Sequence, residues 1–340
     1  TFEKTQVAGY ESLNWKDCYE KAAYYAGIIM GRNPDVSYGT YRLLSFDELW
    51  KKSGFDESEH MFSVRTRSAD EEYGNGVHQW YCGMQDAGGV LQKGPWVGNR
   101  FHWYCLFDNE DYRITKGVKH RFQYDSQVKN GRGYYYPGTP EYKLMATGKN
   151  MDDVKVQEPV APFNDGLTYT NSISSNCLAF TTKYADVTDP TIGRTDAYWP
   201  FLRYADIVLI YAEAQCELND GISQDAIDAL NDIRIRSNAK EASVTGDGAI
   251  ETKVELRSVI FEERAKELAY EGDRRWDLLR WGIYLDVMNS LGGINEDGTR
   301  TPYDEGSINK RREFRHLLYP LPSLEVSTNM AIDKNNPGWN

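Results

Sequence analysis

The sequence predicts a mainly α-helical protein whose helices are separated by a long loop-rich segment. Three observations carry this. Apolar residues recur at helical spacing over 13–31 and again from about 200 to 291. Between roughly Tyr73 and Tyr142 that spacing disappears, and Gly and aromatic residues crowd in. The stretch FEERAKELAYEGDRRWDLLRWG, Phe261 to Gly282, then mixes acids, Arg, Lys, Trp276 and Trp281 in two helical runs hinged at Gly272.

LNWKDCYEKAAYYAGIIMG at 13–31 reads as a helix. Ala22, Ala23 and Ala26 give it a small-residue face, and Gly31 and Pro34 end it. Phe46–Ser53 follows as a short helix with Ser45 as N-cap, and Met61–Thr66 looks extended. Within 73–142 sit Trp80, Tyr81, Trp96, Trp103, Tyr104 and the run Tyr134, Tyr135, Tyr136. Loops of this length in a compact domain are usually functional. Residues 143–200 continue as loop with short strands such as CLAFTTKYA at 177–185. FLRYADIVLIYAEAQCELN, 201–219, is apolar on every side around Ile207–Ile210 and predicts a buried helix. Ser223 caps the next helix, 224–238. The two form a hairpin about as long as a tetratricopeptide repeat. Further helices are expected at 251–271 and 273–291, then a Pro-punctuated tail over 313–340. The chain divides into a helical part (1–66), a loop-rich ligand-binding part (67–200) and a C-terminal helical part with its tail (201–340), all of one domain.

Bulk composition narrows the function. The chain has 340 residues, a net charge of −12 and 13% aromatic residues, so it can build a large core and disfavours nucleic acid as a partner. No apolar run approaches the roughly 20 residues of a membrane span. No secretory signal opens the chain at Thr1, which suggests a mature, processed or truncated polypeptide. Cys18, Cys82, Cys105, Cys177 and Cys216 form no CxxC pair, and the five His show no metal spacing, so no metal is expected. Pairing of Cys82 with Cys105 is left open. DNED at 108–111 has oxygen ligands for calcium but no EF-hand spacing, and a solvated turn is the plainer reading.

Glu263, Glu267 and Glu271 recur at i, i+4 and make a like-charge row that needs facing cations. Arg203, Arg234, Arg236, Arg274 and Arg275 are candidates. Glu271 to Arg275 fits an i, i+4 pair, and Arg280 can reach back to Asp277. These residues are expected to form a structural ion-pair network, not a catalytic pair. Trp276 and Trp281, five apart, fall on different helix sides and are expected in the core. The ligand surface is expected at Trp80, Tyr81, Trp96, Trp103 and Tyr104, with Asn99 and Arg100 as polar partners. Flat rings stack on the apolar faces of sugars, polar side chains satisfy the hydroxyls, and neighbouring Gly lets the loop backbone expose a ring.

Several ordered blocks resemble the SusD/RagB family of outer-membrane nutrient-binding lipoproteins: RYADIVLIYAEAQCELN (203–219), ALNDIRIRSNA (229–239), VIFEERAKELAYEGDRRWDLLRWG (259–282), LYPLPSLEV (318–326) and NNPGW (335–339). The resemblance implies tetratricopeptide-like helix pairs and a loop-rich ligand part. It implies a surface-exposed lipoprotein of the outer membrane that holds a glycan for a SusC-like TonB-dependent transporter, with no catalysis and no cofactor. Members are longer, so this sequence looks like a C-terminal portion, with the first helices and the lipid anchor absent. The same residues leave room for a peptide ligand or for a tetratricopeptide scaffold that binds only proteins. A scaffold predicts the aromatics of 80–104 buried or facing another chain. A glycoside hydrolase would need two carboxylates across a cleft, roughly 5 Å or 6.5–9.5 Å apart.

Overall fold

The computed structural model describes residues 12–34, 36, 38, 40–55, 58–68, 73–86, 91–98, 103, 106–108, 110–119, 180–290 and 312–339, and the backbone at 121–122, 132–135 and 168–171. It is helix-rich with a few short strands.

α1 spans Trp15–Ile29 and starts where Asn14 Oδ1 accepts the Lys16 N–H at 2.8 Å. α2 is one turn, Phe46–Leu49, and a 3₁₀ turn follows at Lys52–Gly54. Ser45 precedes α2, but its hydroxyl donates to Glu48 Oε2 at 2.6 Å and caps no N–H. β1, His60–Val64, runs antiparallel to β9, Trp199–Arg203. Between them lie α3 (Val77–Cys82), the β2–β3 hairpin (Met84–Gln85, Leu91–Lys93), α4 (Tyr112–Thr115), and β4 (Val118–Lys119) paired with β8 (Phe180–Thr181). A three-stranded sheet orders β5 (Arg121–Phe122), β6 (Arg132–Tyr135) and β7 (Thr168–Asn171).

The helix expected from 201 begins at 204, because Trp199–Arg203 pairs with β1. α5, Tyr204–Leu218, is the central helix: Ala205, Val208, Leu209, Ala212 and Cys216 are fully buried. α1, α6 (Gln224–Arg236) and α7 (Lys253–Glu267) pack on it, bringing Ile227, Leu230, Ile233, Leu256 and Ile260 into one core. Ser223 Oγ accepts the Ala226 N–H at 3.3 Å, and Thr252 with Glu255 closes a capping box on α7. α7 ends at Glu267, short of the expected 271. Tyr270 and Gly272 both take positive φ, +69° and +102°, which a continuing helix cannot accommodate. The helix expected over 273–291 is likewise two, α8 (Arg274–Arg280) and α9 (Tyr284–Ser290), parted at Gly282 with φ +70°. A 3₁₀ turn at Phe314–Leu317 and α10, Ser323–Thr328, close the fold.

Candidate functional site: an exposed two-indole face

α3 turns Val77, His78 and Cys82 inward. The His78 ring nitrogen Nδ1 lies 2.7 Å from the Tyr184 carbonyl, and the Cys82 thiol donates to the Thr181 carbonyl at 3.2 Å. The opposite side carries Trp80, which is 44% exposed. Its ring lies over Gly76, where an added Cβ would meet Trp80 Cε2 at 2.9 Å. The Trp80 carbonyl accepts the N–H groups of both Trp96 and Val97 at 2.9 Å. That pair of hydrogen bonds fastens the GPWVG turn to α3, and Trp96 stands out in solvent, 74% exposed. Gly83, at φ +76°, makes the hairpin possible: an added Cβ would stand 2.6 Å from the Lys93 carbonyl. Arg194, exposed, donates to the Gly74 carbonyl at 3.4 Å on the rim.

Tyr81 and Trp103, expected as platforms with these two, pack inward. Successive helix residues point about 100° apart, so with Trp80 out Tyr81 turns in. Tyr81 lies 5.3 Å from Tyr184, 5.6 Å from Tyr270 and 6.1 Å from Trp199. Burial raises its phenol pKa. Trp103 donates its indole N–H to the Ala265 carbonyl at 2.7 Å and packs edge-on to Phe107 and Tyr270. These rings form one aromatic bed around Tyr270. Asn99, Arg100, Tyr104 and Cys105 lie outside the described residues, as do the side chains of Tyr134, Tyr135 and Tyr136.

Behind the bed lies the ion-pair network. Glu263 binds Arg234 at 2.8 Å and Arg113 at 2.5 Å. Glu267 binds Arg236, and Arg203 at 3.2 Å. Glu271 binds Arg203 at 2.6 Å and Lys183 at 2.5 Å. Arg203, 1% exposed, also grips Glu59 at 2.7 Å. Burial alone would raise the Glu267 pKa, but Arg236, Arg203 and Arg113 outweigh it and hold the carboxyl below its usual range. At Glu59 burial wins over Arg236 and Arg203, and the pKa rises. The DNED turn joins the same structure: Asp111 caps α4 and binds Arg113 at 2.7 Å. Among the described residues no group of three or more His, Cys, Asp or Glu could hold a metal ion.

A second cluster joins Asp277 to Arg264 at 2.7 Å and Arg280 at 2.9 Å, and Arg280 to Glu213 at 2.5 Å. Arg274 and Arg275 do not face the acidic row. Arg274 donates to the Phe261 carbonyl at 3.0 Å; Arg275 donates to Tyr284 Oη at 2.6 Å and the His316 carbonyl at 2.9 Å. The turn at Gly272 breaks the spacing that would have set Glu271 against Arg275. Trp281 is in the core, stacked on Phe261 at 3.5 Å, but Trp276 is 57% exposed, edge-on to Tyr319. Sequence reading missed Glu59, Arg113 and Lys183, which reach the row from distant segments and carry no local spacing signal.

Fold and surface together define a helix-rich body that supports an exposed aromatic face. The chain belongs to the SusD family, whose model matches residues 85–339. A curated relative, SusD-like protein P2 of Formosa agariphila, is 33% identical over 142 residues, 41% of this chain and 25% of that protein. The crystal structure of a SusD homolog from Bacteroides thetaiotaomicron superposes with a TM-score of 0.65 at 20% identity, covering 96% of this chain and 60% of that one. Surface glycan-binding protein A from the same species, in complex with laminarihexaose, gives 0.59 at 18% identity, covering 94% and 60%. The chain thus spans a quarter of the curated relative and about three-fifths of these structures.

Proposed function

We propose that the protein is a non-catalytic binder of glycans, oligo- or polysaccharide, held by a lipid anchor at the outer-membrane surface, that delivers its ligand to a SusC-like TonB-dependent transporter. The helix pairs around α5 serve in this reading as a tetratricopeptide-like scaffold, in a whole protein that carries further N-terminal helices. The observation that carries the proposal is the pair of exposed indoles, Trp80 and Trp96, whose backbones are joined at the Trp80 carbonyl. Exposing two large rings is unfavourable unless something covers them, and sugars present apolar C–H faces that do so. Asn99 and Arg100, in the same loop, are the proposed hydroxyl partners, with Tyr104 beside them and Tyr81 and Trp103 as the supporting bed. The acids at 263–271 are buried against cations and are spent on the fold, so they offer no pair for glycoside hydrolysis. Two proteins of similar fold support a carbohydrate ligand: the laminarihexaose complex, and a laminarin-binding SusD-like protein with a TM-score of 0.56.

The test is calorimetry against laminarihexaose and a panel of other oligosaccharides. A detected ligand should bind about tenfold more weakly to Trp80→Ala and to Trp96→Ala, a loss of about 1.4 kcal/mol that suits an aromatic contact. Both side chains are exposed, so melting temperatures should hardly change. If neither substitution weakens binding, the site is elsewhere.

A further inference from the structure

A loop from a distant part of the chain borders the exposed indole face. Residues 186–196 belong to no helix or strand, apart from one bridge at Thr195. The loop is fastened at several points. The Lys52 N–H donates to the Asp186 carboxylate at 2.8 Å, and the Gln85 N–H to the Pro190 carbonyl at 3.0 Å. Asp196 accepts the Thr188 N–H at 2.9 Å. Asn75 and Thr195 exchange both of their backbone hydrogen bonds, at 3.0 and 2.8 Å.

That exchange lays residues 193–195 along the start of α3. Gly193 lies against Gln79, where an added Cβ would stand 3.0 Å from Oε1. Arg194 is exposed, and its Nη1 donates to the Gly74 carbonyl at 3.4 Å. Gly74 and Gln79 bracket Gly76, the seat of the Trp80 ring. The Arg194 guanidinium and the Trp80 indole therefore share one ledge.

The two groups differ in what they select. An indole stacks on the apolar C–H face of many sugars, so it contributes affinity with little choice. A guanidinium presents five N–H donors in a fixed plane and no acceptor, so it binds only oxygens at set positions. Gln79, partly exposed, adds an amide that both donates and accepts. A loop fastened before binding loses little further freedom when a ligand arrives.

We propose that Arg194 is the specificity-determining residue of the glycan site. It donates to hydroxyl oxygens of the sugar stacked on Trp80, with Gln79 beside it. This rests on the glycan reading of the Trp80–Trp96 face, and adds that the face selects its ligand by the hydroxyl pattern of that one sugar.

The experiment is calorimetry on the full 340-residue chain with laminarihexaose, cellohexaose, xylohexaose and mannohexaose. Trp80→Ala should weaken every oligosaccharide that binds by a similar factor, about tenfold, and keep their order. Arg194→Ala should weaken the tightest binder about tenfold and the others less than about threefold, so the spread between them closes. Arg194→Lys keeps the charge but not the planar fork, and should close the spread as well. Gln79→Ala should act in the same direction. Arg194 is exposed, so melting temperatures should hold in its variants. Equal losses across the panel in Arg194→Ala, no loss for the tightest binder, or an unchanged spread in Arg194→Lys overturns the assignment and leaves the glycan reading standing. A panel in which nothing binds, or whose binding is indifferent to Trp80→Ala, overturns the glycan reading of this face and the assignment with it.

Discussion

Single residues set the exposed indole face through steric fit. Gly76 has an ordinary backbone conformation, φ −89° and ψ 7°, so an alanine there would be unstrained. Its Cβ would nevertheless stand 2.9 Å from the Trp80 ring and push it off its seat. Gly76→Ala should therefore shift the tryptophan fluorescence and weaken any glycan bound at Trp80, with a stability change under about 1 kcal/mol. Unchanged fluorescence and affinity would mean that Trp80 is not seated on Gly76. Asp273 shows the opposite situation, a side chain that its surroundings oppose. Burial, then Asp206 and Glu271, raise its pKa to about 6, Arg264 pulls it back, and Asp277 adds to the rise. Its charged form is therefore unfavourable above that pH. Asp273→Asn should stabilise the protein at pH 7–8 by on the order of 1 kcal/mol, after allowance for solvent screening, and leave it unchanged near pH 4. Melting temperatures at the two pH values would check it. The residue scale was also the hardest to read from sequence. Which of Trp80 and Tyr81 faces outward depends on a helix of only six residues, too short to show a period. Five residues from Trp281, Trp276 shares no platform with it and is expected in the core, but it is 57% exposed, edge-on to Tyr319.

At the scale of elements, charge pairs that join distant segments do more than local caps. Arg203, at the end of β9, binds Glu59 beside β1 and Glu267 and Glu271 at the end of α7. Arg203→Met would leave three buried carboxylates short of a cation, and should cost about 3–5 kcal/mol in urea denaturation. Lys116 and Asp47 pair at 2.8 Å but in solvent, and Lys116→Met should cost under about 1 kcal/mol. Similar losses for both would show that the buried network adds nothing beyond a surface pair. The acidic row itself was legible, because i, i+4 spacing is a local signal and Arg234 and Arg236 share one helix end. Arg113, Lys183 and Glu59 were not, since their contacts depend on chain crossing. The same reason hid β9: its apolar residues run straight into α5, and only pairing with β1 ends the strand at Arg203.

For the molecule as a whole, the blocks from 203 onward carry both the family resemblance and most members of the buried ion pairs. The same charges predict a steep loss of stability in acid. Glu263, Glu267 and Glu271 have carboxyl pKa values held below 4.5, although burial opposes it, because Arg113, Arg236 and Arg203 sit beside them. In the unfolded chain these groups take up protons first, so their contribution is present above about pH 4.5 and is lost as pH falls below it. Glu59 and Asp273 have raised values, and the folded state holds their protons longer, so stability declines as pH rises through their titration, near 6 for Asp273. Net charge acts in the same direction. At pH 7 the chain carries −12, and its pI is near 5.0, so self-repulsion grows from pH 5 upward. His60 and His78 oppose that decline below about pH 6.5, because burial lowers their pKa, to about 4 for His60, and the unfolded chain binds their protons first. The melting temperature should therefore fall steeply below about pH 4.5 and vary only gently between about pH 6 and 8. Added salt should flatten the gentle side by screening exposed charges, and leave the steep side, where the titrating groups are buried. A melting temperature that does not fall below pH 4.5 would show that the buried acids titrate independently of their arginines.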